Sequence, residues 1–112
     1  MDSEARQFLL TTAWLFTRHG RGDRARTLCE ALVEDDPTDG IAAAALAELL
    51  IEDREPARAL EVVRGATFTG KLTRAEALLE TRALAMLGRR AEAARRWRRY
   101  CEAAKGAGRK WT

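Results

Sequence analysis

One register runs through the whole chain: small and apolar residues recur every 34 positions. Ala25, Ala59 and Ala93 stand at that step, and so do Phe16, Leu50 and Leu84, then Ala13, Ala47 and Thr81. Cys29, Val63 and Trp97 form another such column, and Leu32, Ala66 and Tyr100 a further one. A period of this length is what a repeated two-helix unit produces, because one unit cannot bury its apolar face alone and must stack on its neighbours. Inside each period the apolar residues fall at steps of three and four, which predicts helices throughout. The first is expected over Gln7–His19, with Phe8, Leu9, Trp14, Leu15 and Phe16 on more than one face. The second, capped by Asp23, carries Ala25, Leu28, Cys29, Leu32 and Val33; the third runs over Ile41–Ile51 without a conventional cap. Pro56 starts the fourth, Gly65 to Gly70 reads as a loop, and Thr73 with Glu76 forms a capping box for a fifth over Thr73–Leu87. The sixth is expected from about Ala91 to Ala104, followed by a Gly-rich basic tail.

Composition agrees with an all-α class, since alanine is the commonest residue, β-branched residues are sparse and only Pro37 and Pro56 interrupt. At 112 residues, 46% apolar and 33% charged, the chain suits one water-soluble domain. Its longest apolar run, Ile41 to Leu50, contains Glu48 and falls well short of the ~20 residues that cross a bilayer. Asp2 and Glu4 stand where a secretory signal needs cations, so a cytoplasmic location is expected. Cys29 and Cys101 are expected to be reduced. The net charge of +3 conceals an asymmetry: residues 1–56 carry 6 basic and 12 acidic side chains, residues 57–112 carry 14 and 5. Such a dipole favours steering of a charged protein partner.

Candidate chemistry is thin. His19 is the only histidine, beside an inter-helix turn, and has no serine or carboxylate pattern around it, so no catalytic residue is assigned and the chain is read as a non-enzyme. One histidine and two separated cysteines are too few soft ligands for zinc, so no metal is expected. Gly20 and Gly22 follow a helix rather than a strand and lack a phosphate-loop lysine, so no cofactor is expected either. The run "RRWRRY", Arg95 to Tyr100, interleaves arginine with aromatics as nucleic-acid binders do. On a helix, however, Trp97 and Tyr100 fall on core columns, leaving Arg95, Arg96, Arg98 and Arg99 as a solvated face; with the acidic first half, this disfavours nucleic acid.

The columns resemble the tetratricopeptide repeat, with a small residue on the first helix, a large one three later and alanine at the helix crossing. The resemblance implies three helix pairs, at about 6–39, 40–73 and 74–107, in one domain over 1–107 with a short basic tail at 108–112. They would form a short right-handed solenoid with a concave groove. Gly20 and Gly88 fill the favoured turn position and Pro37 closes the first repeat; the second departs from this pattern, with Arg54 in place of the glycine and Lys71 in place of the proline, which leaves its turns open. The lining positions implied are Gln7, Leu10, Trp14 and Thr17, then Ile41, Ala44, Glu48 and Ile51, then Ala75, Leu78, Arg82 and Ala85. Of these, Leu10, Trp14, Ile41, Ala44, Ile51, Leu78, Arg82 and Ala85 are the expected partner-binding residues. Most are apolar, which suits an amphipathic helix rather than a clamped peptide carboxylate. The opening "ARQFLLTTAWLFTRHGRGDRARTLCEALVEDDP" and the segment "ALAMLGRRAEAARRWRRYCE" are similar to the small type III secretion chaperones of the YscY (SctY) family. That resemblance implies a cytoplasmic chaperone in a heterodimer with a small secreted YscX (SctX)-like protein, delivered to the export gate. A needle-subunit or translocator chaperone, a generic tetratricopeptide scaffold and a helical nucleic-acid binder are the other readings.

Overall fold

The 34-residue step reappears in the backbone of a computed structural model, which describes residues 1–109. Six helices follow one another: α1 (Ser3–Arg18), α2 (Gly22–Asp35), α3 (Gly40–Glu52), α4 (Pro56–Gly65), α5 (Leu72–Met86) and α6 (Arg90–Arg109). Helices α1, α3 and α5 end at residues 18, 52 and 86, and α2, α4 and α6 begin at 22, 56 and 90. Every turn within a pair is therefore the same turn. Its left-handed residue is Gly20 (φ +73°), Arg54 (+62°) and Gly88 (+81°). The backbone N–H of the next residue donates back to Phe16, Leu50 and Leu84 at 2.7, 2.8 and 2.9 Å, closing a Schellman turn each time. The turn left open by Arg54 in place of glycine is the same as the other two. The hydrogen bonds impose the left-handed conformation, and an L side chain adopts it at a cost of about 1–2 kcal/mol. Among the described residues there is no strand, only an isolated bridge between Asp39 and Thr67.

Helix starts differ from expectation where a turn or loop outranks a side-chain cap. Asp23 lies inside α2, whose N-cap is Arg21 and has no side-chain cap bond, because the preceding Schellman turn already fixes its entry. Helix α3 does have a cap: the Asp39 carboxylate accepts from the N–H groups of Ile41 (3.1 Å) and Ala42 (3.2 Å). Thr73 does not form a capping box; its hydroxyl donates to the Gly70 carbonyl at 2.8 Å, and α5 begins one residue earlier. The expected basic tail is in part helix, since α6 continues through Arg109, while residues 110–112 lie outside the described residues.

The repeat columns form the core. Ala25 and Ala59 are fully buried and Ala93 almost so, at the points where paired helices cross. Leu46, Leu50, Leu84, Val63 and Cys29 are the largest side chains wholly enclosed. Small residues let helix axes approach while the large ones fill between them. The register loosens at α6: Trp97 and Tyr100, expected to point inward, are half-buried and stack on each other with ring centroids 5.2 Å apart. The middle repeat departs in its exit. Helix α4 stops at Gly65, and residues 66–71 cross toward the start of α3, where the Thr67 N–H donates to the Thr38 carbonyl at 3.0 Å. Phe68 is buried there against Gly40, where a methyl group would stand 2.4 Å from the Thr67 carbonyl oxygen. Only glycine fits that approach.

Candidate functional site

Helix α3 packs directly on α2, α4 and α5, while α1 packs on α2 and stands off from α3. The gap is an apolar groove with a cavity of about 320 Å3, lined by Leu10, Ala13, Trp14 and Thr17 of α1, Cys29 of α2, and Ile41, Ala45, Glu48, Leu49 and Glu52 of α3. A shallower extension toward the start of α1 adds Arg6, Gln7 and Thr11. Three apolar side chains dominate its walls: Leu10 half-buried, Ile41 exposed, and Trp14 exposed over 57% of its surface. The Arg18 guanidinium lies over the Trp14 ring, 5.1 Å from its centroid, which fixes the indole without covering it.

Both ends of the groove are polar. At one end Arg6 donates to Asp39, with Nη2 to Oδ1 at 2.9 Å, joining α1 to the α3 cap. That guanidinium, followed by the backbone N–H donors of Ala42 and Ile41, outweighs partial burial and holds the Asp39 carboxyl below its usual range. At the other end Glu48 and Glu52 stand one helical turn apart on α3, and Glu48 accepts from Arg82 of α5 at 2.9 Å. The groove floor contains Cys29, whose thiol burial pushes up to about 11, so it stays protonated and acts as a small apolar residue.

The expected binding residues divide across this geometry. Leu10, Trp14 and Ile41 come together in the groove. Ala44, Leu78, Arg82 and Ala85 lie outside its lining, on α3 and α5, with Leu78, Arg82 and Ala85 exposed. Ile51 is 5% exposed and belongs to the core, so the concave-face position expected of it is corrected. Ala45, Leu49 and Cys29 line the groove without having been singled out for it. The signal for Ala45 and Leu49 was weak because α3 is apolar nearly all round, with only Glu48 and Glu52 to mark a polar side, so periodicity marks no clear face.

Several charges of the second half stitch helices together. Arg58 makes a bidentate pair with Glu30 at 2.6 and 2.7 Å, and Glu80 accepts from Arg96 at 2.6 Å and Arg64 at 3.0 Å. Burial pushes the Glu80 carboxyl upward, but the two guanidiniums together outweigh it and leave the group below its ordinary value. Arg96, expected on the solvated face, is only 13% exposed because Glu80 and Glu76 draw it in. Arg95, Arg98 and Arg99 are exposed as expected. His19 is the exposed C-cap residue of α1, and Cys101 is exposed on α6, far in sequence from buried Cys29. Among the described residues no helix is long and apolar enough to cross a membrane. Compared with protein-family models, with curated proteins and with solved structures, the chain finds no match.

Proposed function

We propose that this chain is a tetratricopeptide-like solenoid that works as a cytoplasmic chaperone, holding an amphipathic helix of a small secreted protein in the α1–α3 groove. The observation that carries this reading is an exposed Trp14 which, with Leu10 on the same α1 wall and Ile41 on α3, lines an apolar cleft with charged ends. A monomeric protein that leaves a large aromatic beside two aliphatic side chains in a cleft has the makings of a helix-in-groove site. The partner side of the argument is physical as well. A subunit kept unfolded for export exposes the apolar face of an amphipathic segment, and covering it prevents premature association. Together with the similarity of its opening and closing segments to the YscY family, this makes a YscX-like export component of a type III secretion system the preferred cargo. The chaperone would hold it as a heterodimer and present it to the export gate. No catalytic step is proposed.

The test is co-expression with the small proteins encoded beside it, followed by affinity capture of the wild type and of Leu10→Glu and Ile41→Glu. Both variants should keep wild-type helicity and melting while losing the partner. Capture at wild-type level by both folded variants would show that the groove is not the binding surface.

A further inference from the structure

Beside the groove, α1 carries a second apolar strip whose Phe8 and Leu15 the groove does not use. Phe8 is 69% exposed and Leu15 45% exposed, one on each side of Thr11, and Glu4 and Arg18 mark the two ends of the strip. The register explains what this face is. One period later, Phe8 and Leu15 correspond to Ala42 and Leu49, which α3 buries completely or nearly so, Leu49 beside Gly22 of α2. The positions by which one repeat docks on the preceding one are thus left uncovered in α1. A stack of repeats normally ends in a polar face. Helix α6 has one, with Arg95, Arg98 and Arg99 exposed, whereas α1 presents a phenylalanine and a leucine.

We propose that this face pairs with the same face of a second copy of the chain, α1 against α1 and antiparallel. The strip is self-complementary about Thr11. Antiparallel pairing about a two-fold axis sets Glu4 opposite Arg18 of the other copy, Phe8 opposite its Leu15, and Thr11 opposite its Thr11, where a short side chain lets the axes approach. Among the described residues neither Glu4 nor Arg18 has an oppositely charged partner within the chain, Arg18 lying instead over the Trp14 ring, so the second copy would supply each with its counter-charge. A parallel arrangement would oppose like charges at both ends. One helix pair buries less than a standard interface, so association in the micromolar range is expected. The strip borders the groove, since Thr11 also lines its shallow extension and Arg18 lies over Trp14, so Phe8→Glu, which alters no groove-lining residue, is the variant that tests the pairing by itself.

Sedimentation of the full chain over a concentration series tests it. The wild type should move from monomer to dimer, and Phe8→Glu should weaken association by at least about tenfold with unchanged melting, because its side chain is already in solvent. Glu4→Arg alone should weaken association, and Glu4→Arg combined with Arg18→Glu should restore it. A wild type that stays monomeric into the high micromolar range would overturn the proposal. So would a dimer that survives Phe8→Glu with the same affinity, or a charge exchange that does not restore pairing.

Discussion

The same repeat position makes a closed seam in one part of the molecule and an open one in the other. Trp14, Glu48 and Arg82 occupy one register column on α1, α3 and α5. Between α3 and α5 its members are opposite charges 2.9 Å apart, and the two helices pack directly. Between α1 and α3 its members are an indole and a carboxylate that make no such bond, and a cavity opens. Register sets where a side chain stands, and its chemistry decides whether the neighbouring helix closes over it. The groove is the place where an otherwise regular series of helix pairs leaves a seam unfilled.

The contrast is broken most strongly by truncating a large side chain in each seam. Leu50→Ala removes a fully enclosed core residue and should cost about 3 kcal/mol, whereas Trp14→Ala, though it removes more atoms, should cost less than about 1 kcal/mol because they already face water. Chemical denaturation of the two variants checks this ordering. A similar loss for both would mean that α1 closes on α3 in solution.

A smaller effect comes from the half-buried charge cluster that ties α4 and α6 to α5. Glu80→Gln leaves Arg96 short of its counter-charge at a site only 13% exposed, and should cost about 2 kcal/mol at neutral pH. The folded-state pKa values of Glu80 and Asp39 are depressed, so their contribution is complete above the ordinary values of 4.5 and 3.8 and is lost as the pH falls through the folded ones. The gap between wild type and Glu80→Gln should therefore shrink on acidification. A melting series from neutral to acid pH reads it, and a gap that widens in acid would contradict the assignment.

Two substitutions should make irregular repeats resemble regular ones. Thr81 occupies the column that is alanine at 13 and 47, and its buried hydroxyl has no hydrogen-bond partner among the described residues, so Thr81→Ala should stabilise by about 1 kcal/mol. Arg54→Gly, at the left-handed turn position, should stabilise by somewhat less than about 1 kcal/mol, because glycine relieves the backbone strain but loosens the unfolded chain. Thermal melts of both variants, each expected above the wild type, check the register directly.

Much of this architecture is legible in the sequence because it rests on spacing. The six helices, the crossing alanines and the enclosed Leu50 and Leu84 all follow from one period repeated three times. What is not legible depends on contacts between distant backbone segments. Gly40 and Phe68 matter because the Thr67 carbonyl passes over the start of α3, and no local pattern in either segment announces the other. Asp23 and Thr73 have the composition of caps, yet the Schellman turn before α2 and the Gly70 carbonyl before α5 already fix those helix starts. For the groove, the α1 half could be read from the repeat register, because the repeat resemblance puts Leu10 and Trp14 at lining positions. The α3 half could not, since a helix apolar over most of its surface offers Ile41 and Ile51 on equal terms, and only packing exposes one and buries the other.

The most direct test of the open seam as a binding site is a titration of the co-purified partner against Trp14→Ala, with the melting of the unbound variant measured alongside. If the groove grips an apolar helix face, the variant melts like the wild type and binds at least about thirtyfold more weakly, the loss of ~2 kcal/mol expected at a central aromatic anchor. A Trp14→Ala chain that melts normally and binds with wild-type affinity would contradict it.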